Sequence, residues 1–158
     1  MITEKDKRYL KRSVELAEEA LKTGNSPFGS LLVSKDGAVL FEDHNRDKTG
    51  DRTKHPEYAI AVWAIENLPP EERKDAVVYT SGEHCSMCSS AHALAGLGRI
   101  VYVSSSAQFS EWQKELGVTE RGALKGLSIE KVINDTEVDG PDEELAQQVK
   151  QLQIEYYK

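Results

Sequence analysis

Apolar and polar positions along the first part of the chain follow two different periods. Between Thr3 and Gly24 the apolar residues recur at helical spacing, which predicts an amphipathic helix with Thr3 as its cap. Residues 28–33 form a compact apolar run, and residues 38–41 follow it after Asp36-Gly37, a dipeptide typical of hairpin turns. The pattern therefore predicts a helix followed by a β-hairpin.

Helical and strand-like segments alternate after a polar stretch at 42–54, which is long enough to line a site. Pro56 suits the first turn of a helix, and Pro69-Pro70 is expected to stop it. Further helices are expected at 86–95, 109–116 and 141–157. Short buried strands are expected at 76–80 and 100–103, and a last strand is expected at 127–133.

This order of elements predicts an α/β fold with three layers, in which a five-stranded mixed sheet lies between helices on both faces. A helix separates strands 100–103 and 127–133, so these two strands can run parallel through a crossover. A length of 158 residues suits a single domain spanning 1–158, and it is enough to bury a core without disulfides.

The charge and the hydropathy of the chain disfavour a membrane-spanning protein and a strong nucleic-acid binder. No apolar run approaches membrane-spanning length and no apolar segment follows the charged N-terminus, so we expect a cytoplasmic protein. The formal net charge of −7 disfavours strong, sequence-independent binding to nucleic acid. Three basic residues, Lys48, Arg52 and Lys54, are mixed with Asp47 and Asp51, and we interpret this segment as a solvated loop.

Two short motifs carry the candidate chemistry, a His-x-Glu motif formed by His55 and Glu57 and a Cys-x-x-Cys motif formed by Cys85 and Cys88. The two cysteines share a face in a first helical turn, where the helix N-terminus stabilises thiolates. His55 adds a third ligand, and three protein ligands leave zinc one position for water, as in catalytic sites. Glu57 is then placed to exchange a proton with that water.

Other interpretations of these residues are open. A Cys-x-x-Cys pair alone is also typical of thioredoxin-like redox sites. His92 follows Cys88 by four residues on the same helical face, so it is a candidate fourth ligand that would close the site as a structural Cys2His2 centre. The alternative for His92 is a partly buried helix histidine with no metal to bind.

The order His-x-Glu then Cys-x-x-Cys resembles the zinc-dependent cytidine and nucleobase deaminases. Phe28-Gly29, Asn45 and the segment 80–83 (Thr-Ser-Gly-Glu) are similar to the branch that holds bacterial guanine deaminases and tRNA adenosine deaminases. The resemblance extends over nearly the whole chain, because the order of the elements also matches. It implies a cytidine-deaminase-like fold.

The resemblance also implies roles for individual residues. By it, His55, Cys85 and Cys88 hold Zn²⁺, and Glu57 passes protons from water to a ring nitrogen of the substrate and to the departing ammonia. Asn45 is expected to hydrogen-bond the substrate ring.

The resemblance implies that two more positions help to bind or orient the substrate. At a third position this chain departs from the family pattern. Phe28 is expected to pack near the base, and the backbone around Ser81 is expected to orient the amine and the water. The family usually has proline before the first cysteine, whereas this chain has His84. We interpret His84 as a surface cap residue, with a supporting donor to the zinc site as the alternative.

Three residues further along the chain are candidates for substrate contact. Glu111 is the best match for an acidic residue that binds the base in guanine deaminases, and a solvated helix acid is the alternative. Trp112 either stacks on the substrate or packs its helix against the rest of the protein. Tyr156, or Tyr157 beside it, would close the pocket of a partner subunit if the C-terminal segment is exchanged in a homodimer, and otherwise lies against its own subunit.

The sequence as a whole favours a zinc-dependent deaminase of a small nucleobase-like ring, with guanine or a related aminopurine or aminotriazine first, acting as a homodimer. The alternatives are a nucleoside deaminase for cytidine or adenosine, a tRNA adenosine deaminase, and a structural zinc or Cys-x-x-Cys module without activity.

Overall fold

The computed structural model describes residues 1–158 as an alternation of helices and short strands. In chain order the elements are α1 (Glu4–Lys22), β1 (Gly29–Val33), β2 (Val39–His44), α2 (Pro56–Asn67), α3 (Pro70–Asp75), β3 (Val77–Gly82), α4 (Ser86–Ala95), β4 (Ile100–Ser104), α5 (Ser106–Glu115), a 3₁₀ turn (Ile129–Lys131), β5 (Val138–Asp139) and α6 (Glu143–Tyr156).

The strands form one five-stranded sheet in the order β2-β1-β3-β4-β5. The hairpin strands β1 and β2 pair antiparallel, and β1 also pairs antiparallel with β3. The remaining neighbours, β3 with β4 and β4 with β5, are parallel, because a helix or long crossover joins each pair. The predicted mixed five-stranded sheet is therefore confirmed.

Side chains that alternate along each strand divide the core between the two faces of the sheet. On one face Leu31, Tyr79 and Val101 pack with residues of α1, α5 and α6. On the other face Leu32 and Val78 pack with residues of α2 and α4. Helices therefore cover both faces, as predicted. None of these helices combines the length and apolar character needed to cross a bilayer.

Gly29 lets β1 approach α1 closely at the point where the strand begins. A Cβ atom placed on Gly29 would lie 2.4 Å from the Leu16 Cβ and 2.5 Å from the Ser13 carbonyl oxygen, well inside van der Waals contact. Any larger residue would push the start of β1 away from the helix. The glycine therefore fixes the depth at which the next residue, Ser30, enters the sheet.

The strand predicted at 127–133 is wrong. This segment holds the 3₁₀ turn, and Ile129 in the turn and Ile133 after it pack together against Ile100 and Tyr102 of β4. The fifth strand is the two-residue β5, where Val138 pairs with Ile100. Ile129 and Ile133 are buried, but the Ile133 N–H donates a 2.9 Å hydrogen bond to the Ile129 carbonyl oxygen, so this segment is coiled locally and does not extend along β4.

Two helix boundaries also differ from the prediction. The Pro69-Pro70 pair does end α2, but Pro70 at the same time occupies the first turn of the short helix α3, which was not predicted. Helix α5 begins at Ser106 rather than at 109, because Ser105 caps it and Gln108 completes a capping box. The capping box predicted for α1 between Thr3 and Asp6 is present.

Asp6 is the centre of a buried polar network that ties α1 to the sheet. Its carboxylate accepts two hydrogen bonds of 3.0 Å from the Arg99 guanidinium and one of 2.7 Å from the Tyr79 hydroxyl. Burial raises the pKa of Asp6, but the bonds from Arg99, Thr3 and Tyr79 outweigh it and hold the pKa well below its usual range. The ionised carboxylate is therefore part of the stable fold.

We expect Asp6→Asn to lower the free energy of unfolding by about 2–3 kcal/mol at pH 7, because Arg99 and Tyr79 lose a charged acceptor. A carboxyl whose pKa is lowered by folding contributes stability above the pKa of the unfolded state, near about 4, and loses it as the pH falls further. Denaturant titrations should therefore show the difference shrinking below about pH 4.

Glu18→Gln is the matched control for this variant, since it removes an exposed carboxylate of the same helix that has no ion-pair partner. Its free energy of unfolding should stay near that of the wild type at every pH. A loss in Asp6→Asn that does not change between pH 7 and pH 3 would contradict the role assigned to the Asp6 charge.

Candidate active site

The two motifs meet where two helices begin. His55 is the N-cap of α2, Pro56 occupies the first helical position, and Glu57 follows in the first turn. Cys85 is the N-cap of α4, and Cys88 lies in the first turn of that helix. Both helices pack on the same face of the sheet, so their N-termini bring the His-x-Glu and Cys-x-x-Cys motifs together.

The ligand atoms have the spacing of a tetrahedral metal site. The Nδ1 atom of His55 lies 3.5 Å from the Cys85 Sγ and 3.4 Å from the Cys88 Sγ, and all three ligand atoms fall within 4.8 Å of one another. Zinc–ligand bonds of about 2.0–2.1 Å to nitrogen and about 2.3 Å to sulfur at tetrahedral angles put these atoms about 3.6 Å apart. The three side chains therefore fit a zinc ion through Nδ1 and both sulfurs.

The charges of the cluster suit a cation. Hydrogen bonds from Cys88 and His55 lower the pKa of Cys85 to about 4, so this sulfur is a thiolate at neutral pH. The hydrogen bond between Cys88 and Cys85, together with burial, raises the pKa of Cys88. A hydrogen bond to Cys85 also raises the pKa of His55. Without a metal the cluster thus keeps protons that a zinc ion would displace from the sulfur and the imidazole.

Glu57 lies beside the cluster without belonging to it. Its side chain is 7% exposed. Burial raises the pKa of Glu57 to about 7, although the charge of His55 acts to lower this pKa. One carboxylate oxygen, Oε1, accepts a 2.9 Å hydrogen bond from the Ser30 hydroxyl. A carboxyl group that titrates near neutral pH is suited to taking up a proton and returning it.

His92 does not close the site. Its Nε2 atom lies 2.8 Å from the carbonyl oxygen of Gly98, and the metal-binding group contains only His55 and the two cysteines. His92 is a buried helix histidine, which was the simpler alternative. Three protein ligands leave the open coordination position that catalytic zinc sites have.

The interpretation of His84 as a surface cap residue is wrong. Its side chain is fully buried, and Cys85 rather than His84 is the N-cap of α4. The His84 ring packs edge-on against the ring of His92 at 5.4 Å, and neither of its nitrogens has a hydrogen-bond partner. It therefore gives no hydrogen bond to the zinc ligands either, and it packs beneath the metal-binding turn.

Asn45 and Phe28 lie at the open end of the β1–β2 hairpin, opposite its turn. This is also the end of the sheet that carries the site. Asn45 is nearly buried, its backbone N–H donates to the Phe28 carbonyl, and its side-chain amide bonds to no other residue. The Phe28 ring lies over Gly82 and packs edge-on against Phe109 at 5.5 Å. Ser81 is engaged within the sheet, since its hydroxyl accepts from Gly29 N–H.

Three predicted substrate residues lie elsewhere. Glu111 is 66% exposed and pairs with Lys114 on the same helix, which is the solvated helix acid of the alternative interpretation. Trp112 is buried in the hydrophobic core that covers the α1 face of the sheet. Tyr156 accepts a 3.3 Å hydrogen bond from Ser26 of its own chain. The structure thus places Glu111 and Trp112 away from the cluster, whereas the closing of a partner's pocket by Tyr156 stays a prediction.

Residues 3–104 match the family model of the cytidine and deoxycytidylate deaminase zinc-binding region. The match spans both motifs. The chain belongs to this family of zinc-dependent deaminases. Members of the family hydrolyse C–N bonds, so the conserved chemistry of the family agrees with a three-ligand zinc site beside a buried glutamate.

Relatives of this deaminase differ in substrate. A probable cytosine deaminase of Schizosaccharomyces pombe is 31% identical over 116 residues, which cover 73% of this chain and 70% of the relative. A guanine deaminase of Bacillus subtilis is 35% identical over 105 residues, covering 65% and 67%. A tRNA-specific adenosine deaminase of the same organism is 29% identical over 98 residues, covering 61% and 60%.

The fold of the deaminase agrees with solved structures of the family. The structure of guanine deaminase from Nitrosomonas europaea superposes with a TM-score of 0.68 at 18% identity, covering 99% of this chain and 86% of the other. The predicted cytidine-deaminase-like fold is therefore confirmed.

Two residues that organise the site were not assigned roles from the sequence. Ser30 contacts Glu57, and its signal was a single hydroxyl inside an otherwise apolar strand. The Glu83 carboxylate accepts hydrogen bonds from Ser106 N–H at 2.9 Å and from Ile129 N–H at 2.8 Å. Glu83 thereby ties the start of α5 and the 3₁₀ turn to the loop before Cys85, through partners distant in sequence.

Proposed function

We propose that this deaminase hydrolyses the exocyclic amine of a small, free nucleobase-like ring, with guanine or a related aminopurine or aminotriazine as the first choice. The observation that carries the proposal is a buried carboxyl group, Glu57, directly beside a metal-binding cluster with one open position. That combination serves hydrolysis better than redox chemistry or structural zinc binding.

Each residue of the site has a task in this reaction. When zinc is bound by His55, Cys85 and Cys88, it lowers the pKa of water in its open position and so supplies a nucleophile at neutral pH. Glu57, whose buried carboxylate lies beside the cluster, accepts a proton from that water. It passes this proton to a ring nitrogen. It then takes a second proton from the hydroxyl group added to the ring carbon and delivers it to the amine, which leaves as ammonia while the oxygen stays on the ring.

Two residues at the open end of the β1–β2 hairpin are suited to bind the substrate. The Asn45 amide is nearly buried and has no partner in the chain, so it is available to hydrogen-bond a ring edge. The Phe28 ring offers an aromatic surface on which a flat ring packs. One polar contact and one flat apolar contact suit a small heterocycle.

The charge of the protein favours a free ring over a polynucleotide. With a net charge of −7, the chain repels a phosphate backbone. In the exposed loop before His55, the basic residues are interspersed with Asp47 and Asp51 rather than arranged as a continuous basic groove. The similarity to the B. subtilis guanine deaminase supports the same choice, while cytosine, a nucleoside and tRNA remain the alternatives.

Ammonia release from a panel of aminated rings tests the proposal, with metal content measured on the same sample. The panel contains guanine, adenine, cytosine, their nucleosides, an aminotriazine and a pterin, together with a tRNA. We expect release from a free base, with guanine or a related ring fastest, at about one zinc ion per chain. Release from tRNA alone, with strong salt dependence, would instead establish the nucleic-acid alternative.

Glu57→Gln is the control variant, because it keeps the size of the side chain and removes its proton exchange. Turnover should fall by at least about 10²–10⁴-fold while the zinc content and the melting temperature stay near those of the wild type. Activity in Glu57→Gln comparable to the wild type would contradict the assigned proton transfer.

We further propose that the deaminase forms a homodimer through α2. On this helix Tyr58, Val62 and Ile65 share one face, and each is more than one-third exposed. A helix that is apolar on both its buried and its outer face usually packs against a partner. Helix α6 packs on α1 of its own chain, on the opposite face of the sheet from α2, so the proposed α2 interface does not depend on exchange of the C-terminal segment.

Sedimentation equilibrium of the wild type and of Ile65→Asp tests the dimer. The wild type should sediment as a dimer, and Ile65→Asp should shift it to monomer, because a charge would be buried at the interface. Val39→Asp places the same charge on an exposed residue of β2 and should remain dimeric. A monomeric wild type, or a dimeric Ile65→Asp variant, would rule out this interface.

A further inference from the structure

One polar side chain interrupts the apolar strand β1, and it points toward the active site. Strand β1 consists of Gly29–Val33 and is buried along its whole length. Ser30 is its only hydroxyl, and it lies opposite Thr80 of the neighbouring strand β3. Both side chains are fully buried. A buried hydroxyl is unfavourable unless it is hydrogen-bonded, so its partners indicate what it does.

The Ser30 hydroxyl connects the sheet to the first turn of α2. Its oxygen lies 2.9 Å from the Oε1 atom of Glu57 and 2.8 Å from the hydroxyl oxygen of Thr80. The Thr80 hydroxyl in turn lies 2.9 Å from the Gly82 carbonyl oxygen. Glu57 is thus attached to the sheet by a chain of hydroxyl groups whose other end is anchored in the backbone.

Two hydroxyl hydrogens serve the three contacts of this chain, so one contact lacks a hydrogen when Glu57 is ionised. An ionised carboxylate only accepts, so Ser30 then donates its one hydrogen to Glu57. Thr80 donates its own hydrogen either to Ser30 or to the Gly82 carbonyl oxygen. In both cases the Ser30 hydrogen points toward the carboxylate.

This arrangement uses one carboxylate oxygen and leaves the other free. Ser30 donates to Oε1 of Glu57, whereas no other residue donates a hydrogen bond to Oε2. The glutamate side chain has several rotatable bonds, and a small displacement of a proton-transferring group is enough to slow a reaction. A fixed contact at Oε1 therefore limits where Oε2 can lie.

We propose that Ser30 is a positioning residue, which holds Glu57 through Oε1 so that Oε2 faces the reacting water and the ring. The proposal rests on the function proposed for Glu57. Ser30 itself touches neither the ligand atoms of the metal cluster nor the residues proposed to bind the ring.

Steady-state kinetics of Ser30→Ala test the positioning role. The variant should lower kcat about 10–100-fold, the usual effect of removing a residue that orients a reacting group. KM should stay within about threefold, because Ser30 does not contact the ring. Zinc content should equal that of the wild type, since no ligand is altered.

Ser13→Ala is the matched control. Ser13 is equally buried and donates a 2.6 Å hydrogen bond to the Leu10 carbonyl oxygen, but it lies in α1. Removing its hydroxyl should reduce stability as Ser30→Ala does and leave kcat unchanged. Equal kcat in the two variants would overturn the positioning role.

Crystal structures of the zinc-loaded wild type and of Ser30→Ala give a readout that needs no substrate. The wild type should show Oε1 of Glu57 on Ser30 with Oε2 free, and Ser30→Ala should show Glu57 displaced or in several rotamers. An unmoved Glu57 in Ser30→Ala would overturn the proposal, as would a wild type in which Ser30 bonds only Thr80.

These structures also separate the two proposals. If the wild type deaminates no ring of the panel, the proposed function fails, while the position of Glu57 in the crystals still decides the role of Ser30. If Ser30→Ala does not yield folded protein, the wild-type structure alone decides it.

Discussion

Bringing two helix N-termini together is the constraint on which the rest of this structure depends. The sulfurs of the partly exposed Cys85 and the buried Cys88 repel each other once both are ionised, so they need positive charge nearby. The exposed N–H groups at the start of a helix supply part of that charge, and a zinc ion supplies the rest. Cys85 caps α4 and His55 caps α2, so both helix starts face the cluster.

The sheet topology follows from this requirement. Helix α4 follows directly after β3, while α2 follows the hairpin, and the antiparallel pairing of β1 with β3 places α2 beside α4 on the same face. The same pairing places Ser30 under Glu57. The cluster, the glutamate and its support thus come from three separate stretches of chain that one strand register aligns, and a shift of a single residue would turn Ser30 to the opposite face.

The sequence was informative where a residue's role depends on its near neighbours. The metal ligands, the helix caps and the longer helices were predictable because spacing along the chain decides them. Glu111 and Trp112 were not, since both lie on α5 and only tertiary packing decides that one faces solvent and the other the core. His84 was interpreted as a surface cap residue from its position before the first cysteine, but it is buried and the ring of His92 packs against it. The two-residue strand β5 is too short to carry a period at all.

X-ray absorption spectroscopy at the zinc edge of the purified protein tests the central claim, an open three-ligand centre, most directly. The structure predicts two sulfur neighbours at about 2.3 Å and one imidazole nitrogen at about 2.0–2.1 Å, with one light oxygen neighbour completing the shell. A second imidazole in the shell would mean that a histidine closes the site. A centre of that kind has no position for water, and it would contradict the deaminase chemistry assigned to Glu57.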